Sequence, residues 1–160
     1  PVDYQVHDSY FVVGHFHYVL VGGSVMAMFA ACYYWFPKMS GQKLSEKMGT
    51  WVFWLFFIGM NLTFFPMHFM GIMGMARRIF TYRPEFFELN AISSFGYLLM
   101  LIAGLMLIYD IVRKSFTSAD EPLPEDPWQI NHVQDTLEWK VSSPPPEYNF
   151  SEIPSYEDKD

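Results

Sequence analysis

Two histidines separated by a single phenylalanine, His15-Phe16-His17, lie in a stretch without Asp, Glu, Lys or Arg. Successive residues of an α-helix are rotated by about 100°, so side chains two positions apart diverge by about 200°. Two imidazoles in this arrangement leave opposite sides of one helix and cannot easily bind the same ion. They could ligate two separate metals or hemes, since histidine is a standard axial ligand of heme iron. The alternative is that each histidine is hydrogen-bonded to a neighbouring helix.

The pair His7-Asp8 directly precedes this stretch. A neutral imidazole beside a carboxylate suits a divalent metal ion, although two residues cannot complete a metal site alone. The competing interpretation is a helix N-terminus at which Asp8 or Ser9 accepts a hydrogen bond from the first turn.

Two adjacent arginines, Arg77-Arg78, lie farther along the chain, directly after a glycine-containing segment. Paired guanidinium groups suit buried carboxylates, such as the propionates of a heme. The alternative is ordinary flanking charge at a membrane surface.

A single histidine close to a proline, His68 after Pro66, is predicted to be a packing or hydrogen-bonding residue.

Three charge-free stretches must position these side chains: Ser9 to Pro37, Met48 to Ala76 and Leu89 to Tyr109. Each is long enough to cross a bilayer core, which needs about 20 apolar helical residues. Only helices satisfy their own backbone hydrogen bonds in lipid, apart from closed barrels. We therefore predict an all-α membrane protein with helices over about 10–37, 50–75 and 90–113. Three buried helices of a soluble protein would need a larger polar shell than this chain has.

The charge divides the chain into an apolar body, residues 1–114, and a tail, residues 115–160. The body carries eight basic and six acidic residues, whereas the tail carries two basic, eleven acidic and seven of the eleven prolines. A net charge of −7 without a Lys/Arg run argues against a nucleic-acid binder. The lone Cys32 excludes a disulfide framework. Within the tail, His132 is predicted to be solvated, and the tail itself to contact neighbouring subunits or to be solvated.

Basic residues indicate the orientation of the three helices. Five lie in the first loop and at the C-terminal flank, against three on the other side. This count weakly places the tail on the cytoplasmic or matrix side.

These residues together resemble the heme-copper oxidase family, specifically the last three transmembrane helices and tail of cytochrome c oxidase subunit I. The resemblance begins with Pro1 to Leu20, which is similar to the tenth helix of that subunit. It continues in order through Trp35-Phe-Pro37, Asn61 to Phe69, Gly74 to Arg78, Asp126-Pro-Trp128, Thr136 to Trp139 and Ser143 to Phe150.

The resemblance implies a role for each histidine of the pair. His15 would be the axial ligand of a high-spin heme, whose other face meets copper B and oxygen. His17 would be an axial ligand of a low-spin heme, with Phe16 between the two. The hemes would be of type A, and the chain would take part in four-electron reduction of oxygen to water, coupled to proton translocation.

The remaining site residues follow from the same resemblance. His7 and Asp8 would bind magnesium, with a carboxylate of subunit II completing the site. Arg77 and Arg78 would hold heme propionates on the outer side of a bacterial plasma membrane or the mitochondrial inner membrane.

A complete subunit I of this family has about twelve helices, so three cannot act alone. The expected partners are an N-terminal part of subunit I that carries the copper B ligands, subunits II and III, other oxidase subunits, cytochrome c as electron donor, and lipid. A split subunit, a processed chain or a truncated one would each explain the missing part. The alternatives are a quinol oxidase of the same superfamily, whose members often have Asn in place of Asp8 and lack His68, and a structural subunit without cofactors.

Overall fold

The computed structural model describes residues 1–117, 123–124, 126–130 and 136–150, and within them every regular element is helical. An isolated antiparallel bridge joins Ser9 to Ala76. The helices are α1 (Val2–Val6), α2 (Tyr10–His17), a π-helix (Tyr18–Val25), α3 (Met26–Ser40), α4 (Glu46–Ile72), a 3-10 turn (Pro84–Phe86), α5 (Phe87–Phe116) and a second 3-10 turn (Leu137–Lys140). The all-α prediction is confirmed.

Three continuous helical spans are long and apolar enough to cross a membrane: Tyr10–Ser40, Glu46–Ile72 and Pro84–Phe116. Their most apolar windows have mean hydropathies of 1.6, 1.5 and 2.2. Most of each window is exposed in this chain, as expected for helices whose remaining surface meets lipid or other helices. The prediction of three spanning helices is confirmed.

The ends of the helices differ from those predicted. The prediction that Pro37 ends the first span is wrong, because α3 continues through it to Ser40. A proline removes one backbone donor, but the residues after it can still bond backwards, and the N–H of Gly41 donates to the Pro37 carbonyl at 2.9 Å. The helix stops where Gly41 adopts a φ of 70°, which favours glycine. Pro66 lies inside α4; because a proline lacks the backbone donor and crowds the preceding turn, the sequence predicts a kink there, and this stays a prediction.

The chain divides into two compact units. In the first, which contains 1–30 and 45–110, α4 and α5 each bury residues spaced three and four apart, and the two helices approach each other at Gly59 and Thr63 of α4 and Gly96 of α5. Glycines let the two backbones approach closely. A Cβ atom built on Gly59 would lie 2.7 Å from the Gly96 carbonyl oxygen, and one built on Gly96 would lie 2.5 Å from the Thr63 nitrogen.

The second unit contains 31–44 and the described residues after 110. Its centre is Trp139, which is fully buried and donates its indole N–H to the Tyr34 hydroxyl at 2.7 Å. The ammonium of Lys38 donates to the Val141 carbonyl at 2.7 Å and lies 5.0 Å from the Trp139 ring centroid. These contacts anchor residues 136–150 on the end of α3, so this part of the tail is irregular but packed. His132 lies outside the described residues, and the division of the chain at residue 114 stays a prediction.

Candidate functional site

His17 is held in one orientation by its own helix. Its Nδ1 lies 2.7 Å from the carbonyl oxygen of Val13, one turn earlier. Because a carbonyl can only accept, Nδ1 must carry the proton, which leaves the lone pair on Nε2. The ring also stacks on Phe64 of α4, with centroids 4.3 Å apart and an interplanar angle of 9°. An imidazole with a fixed tautomer and a free Nε2 is the form that binds a metal or heme iron.

A groove of about 560 Å³ opens beside His17, within the size range of sites for drug-sized ligands. Its walls come from α2, the π-helix, α4 and α5. The lining residues are Tyr10, His17, Val21, Thr63, Phe64, Met67, Asn90, Ser93, Ser94, Tyr97 and Met100. A mainly apolar wall with a few polar groups and one imidazole suits a large planar ligand with a metal centre. The residues present therefore fit a heme.

His15 lies on the other side of α2, as the helical spacing predicts. It is exposed, and its imidazole forms no hydrogen bond within the described part of the chain. Phe16 is 38% exposed, and its ring lies 4.1 Å from that of His17. The structure thus separates the two imidazoles, and His15 is the more exposed of them.

The helix changes its geometry immediately after this motif. The π-helix Tyr18–Val25 was not predicted, and such segments are frequent at functional sites. Its first side chain is fixed, since the Tyr18 hydroxyl donates to Asn61 Oδ1 at 2.8 Å.

His68 lies on the α4 surface that faces α2. Its Nδ1 donates to the Phe64 carbonyl at 3.1 Å, and its ring packs edge-on against Phe11. A Cβ atom at Gly14 would approach the His68 ring to 2.9 Å, so the glycine makes room for it. This agrees with the prediction of a packing and hydrogen-bonding residue.

Asp8 and Arg77 form an ion pair that the sequence did not reveal. Arg77 Nε donates to Asp8 Oδ1 at 2.8 Å, and the Arg77 backbone N–H donates to the Asp8 carbonyl at 2.9 Å. The hydrogen bond from this guanidinium, followed by its charge, holds the pKa of Asp8 below its ordinary value of 3.8. Arg78, with a φ of 61°, is exposed and forms no ion pair with the described residues.

His7 and Asp8 keep only part of a metal site. His7 Nδ1 donates to the Tyr4 carbonyl at 2.8 Å, which leaves Nε2 available, as in His17. Ser9 caps α2 by accepting from the Phe11 N–H at 3.2 Å, so the predicted cap is present as well. The described residues contain no group of three or more His, Cys, Asp or Glu placed to hold a metal. A cation here would need ligands from outside them.

The sequence did not point to two buried polar residues, Ser93 and Asp110. Ser93 is 6% exposed, and its hydroxyl has no hydrogen-bond partner in the structure. Asp110 is fully buried, and its Oδ2 accepts the backbone N–H of Ser45 at 2.8 Å. Both belong to the buried stripe of α5, which also contains Ala103 and Leu107. The helical spacing of these residues is the sequence feature that could have indicated their burial.

The three long apolar helices define a helical membrane protein, and a groove of about 560 Å³ lies beside its His17. The family model for cytochrome c and quinol oxidase polypeptide I matches residues 1–107, and the chain belongs to this family of heme-copper oxidases. Heme and copper are therefore the cofactors of its class, and the chain is an integral membrane protein.

Named relatives include both oxidase types. The chain is 51% identical to cytochrome c oxidase subunit 1 of Bacillus sp. (strain PS3) over 95% of its own length. It is 45% identical to quinol oxidase subunit 1 of Bacillus subtilis (strain 168) over 99% of its length. In both comparisons the chain spans 24% of the relative. A solved heme-copper terminal oxidase dimer has the same fold, with a TM-score of 0.67 and 22% identity over 76% of this chain and 23% of the other.

Proposed function

We propose that this chain is the C-terminal part of the catalytic subunit of a cytochrome c oxidase and supplies two axial heme ligands to it. The observation that carries the proposal is the separation of His15 and His17 on α2, with His17 anchored beside a groove of suitable size. His17 would ligate a low-spin heme and His15 a high-spin heme that faces copper B, with Phe16 between them. When bound, these cofactors supply the electron transfer and the reduction of oxygen to water, coupled to proton translocation.

The protein's own contribution is orientation. The hydrogen bond from His17 Nδ1 to the Val13 carbonyl fixes the ring and strengthens Nε2 as a donor. The stacked Phe64 prevents the ring from turning about its Cβ–Cγ bond. His15 has no comparable anchor within the described residues, so other helices of the subunit would complete its surroundings.

Charged residues before α2 and after α4 would bind the polar parts of the site. Arg78, which is exposed, would bind a heme propionate, and Arg77 would do so while it remains paired with Asp8. His7 and Asp8 would bind magnesium together with a carboxylate from subunit II.

The partners and the location follow from the family. We infer an N-terminal part of subunit I, subunits II and III and other oxidase subunits as neighbours, heme A as the heme type, and a bacterial plasma membrane, because the relatives named above are bacterial. The tail would lie on the cytoplasmic side. Cytochrome c is favoured as donor by Asp8 and His68, and a quinol is the alternative, since relatives of both types match nearly the whole chain.

The test is a set of reduced-minus-oxidised spectra of the intact complex purified through this chain. H17A should lose the low-spin heme signal and H15A the signal that shifts with carbon monoxide. H68Q, which changes a histidine outside the proposed ligand set, should keep both. Retention of both heme signals in H15A and H17A would contradict the proposal and favour a structural subunit. Turnover with reduced cytochrome c or with a quinol then distinguishes the two donors.

A further inference from the structure

We propose that Tyr97 of α5 is a specificity-determining residue, whose hydroxyl donates a hydrogen bond to an uncharged oxygen of the heme that His17 binds. The oxygen would belong to a substituent of the ring, either a carbonyl or the hydroxyl of an alkyl chain. The inference rests on the proposed function, because it assumes that a heme lies in the groove beside His17.

Tyr97 lies at a depth where lipid cannot satisfy its hydroxyl. It is eight residues inside the uncharged stretch Leu89 to Tyr109, which is about 12 Å along the helix. The whole stretch is about 30 Å long, which matches the hydrocarbon core of a bilayer. A hydroxyl at this depth has lost its hydrogen bonds to water and gains none from hydrocarbon chains. It therefore needs a partner from protein or ligand.

That partner does not come from the described part of this chain. The Tyr97 hydroxyl forms no hydrogen bond with the described residues. Three shorter polar side chains of the same groove bond to the carbonyl four residues earlier on their own helix: Thr63 at 2.7 Å, Asn90 at 2.8 Å and Ser94 at 2.8 Å. A tyrosine cannot do this, because its hydroxyl stands at the far end of a rigid ring that points away from the helix.

The side chain of Tyr97 is open to an occupant of the groove. It lines the same groove as His17 and is 60% exposed. Val21 and Met100, which also line the groove, are apolar and offer the phenol no strong acceptor. A ligand seated against His17 can therefore reach the hydroxyl and supply the partner that it lacks.

The chemistry of that partner is limited. A metal-bound porphyrin offers no N–H, so the hydroxyl must donate to an oxygen. The carboxylates of the ring are assigned above to Arg77 and Arg78 on the outer side, whereas Tyr97 lies well inside the uncharged stretch. The remaining oxygens are a ring carbonyl and an alkyl hydroxyl. Heme A carries both, and heme B carries neither, so Tyr97 would favour heme A in the site of His17.

The experiment compares Y97F with Y109F in the intact oxidase complex, made in cells whose heme A supply is lowered so that heme B competes. The ratio of heme B to heme A in the low-spin site should rise about 2- to 12-fold in Y97F, the effect of one lost hydrogen bond. Y109F removes the hydroxyl of an equally exposed tyrosine of α5 outside the groove and should leave the ratio unchanged. Optical spectra of the low-spin heme and chromatography of the extracted hemes measure the ratio.

Resonance Raman spectra of the heme A form separate the two sources of the oxygen. The carbonyl stretch of the low-spin heme moves in Y97F if the partner is the ring carbonyl. An unmoved stretch together with a changed heme ratio assigns the partner to the alkyl hydroxyl.

An unchanged heme ratio in Y97F, with both hemes present, would overturn the inference and leave the proposed function intact; the partner of Tyr97 would then be another helix. If Y97F does not assemble, Y97L carries the same test, since it also removes the hydroxyl from an exposed position. Retention of the low-spin heme in H17A would instead overturn the proposed function, and this inference with it.

Discussion

Arg77 and Asp8, 69 residues apart in the chain, are joined through both side chain and backbone. The Arg77 guanidinium contacts Asp8 Oδ1, and the Arg77 N–H donates to the Asp8 carbonyl. The adjacent Tyr10 N–H donates to the Met75 carbonyl at 2.9 Å, which completes an antiparallel bridge. The start of α2 is thereby fixed against the chain that leaves α4, and the position of the His15-Phe16-His17 motif follows from it.

The Asp8 carboxylate predicts a specific acid sensitivity. Because its pKa is lower in the folded protein than its ordinary value of 3.8, the ion pair stabilises the fold above that value. The contribution is lost as the pH falls below 3.8 and through the folded pKa. Thermal unfolding of the complex from about pH 6 to about pH 3 should therefore show a steeper loss for the wild type than for D8N. Identical pH profiles would contradict the pairing.

Substitution of Gly96 should disturb the crossing of α4 and α5. The added methyl of G96A would lie 2.5 Å from the Thr63 nitrogen and 2.6 Å from the Gly59 carbonyl oxygen, both backbone atoms that cannot move alone. We expect a loss of about 1–3 kcal/mol in unfolding free energy, as for other overpacked cores. G104A is the matched control on the same helix, because no described atom lies within 4 Å of its Cβ position. Denaturant titration followed by tryptophan fluorescence would measure both, and equal stabilities would refute the close crossing.

Removal of the Asp110 carboxylate should weaken the start of α4. D110A would leave the backbone N–H of Ser45, the residue that caps α4, without its acceptor. The expected loss is about 1–3 kcal/mol, the usual result of an unsatisfied buried donor. D110N keeps an acceptor oxygen and should lose less. Hydrogen exchange at the Ser45 amide would measure the effect, with the exposed neighbour Tyr109 changed to Phe as the control; unchanged exchange in D110A would contradict the contact.

The tail contact predicts a change in protease sensitivity. Y34F removes the hydroxyl that accepts the Trp139 indole N–H, a bond worth about 0.5–1.5 kcal/mol. Residues 136–150 should then detach more often from the end of α3. Limited proteolysis of purified complex should cleave this segment faster in Y34F than in Y148F, which alters an exposed tyrosine of the tail. Equal cleavage rates would show that the bond does not anchor the segment.

The three spanning helices could be predicted from the sequence because lipid demands long uncharged helices. Asp110 directly follows the third uncharged stretch, so the same rule suggests a charged residue at the end of a span. In the structure its side chain is buried inside α5. Residues near helix ends are ambiguous in this way, since a charge there can face solvent or pack against a neighbouring helix.

By itself, the sequence determined the helices and the opposite directions of His15 and His17, because helical geometry acts over a few residues. Motifs also sufficed to indicate the family. Only the tertiary structure decided which imidazole lines the groove, that Arg77 pairs with Asp8, and that the Ser93 hydroxyl has no hydrogen-bond partner among the described residues. The first two depend on contacts between residues 47 or more positions apart, such as His17 on Phe64, and a local sequence pattern does not indicate which distant residues meet.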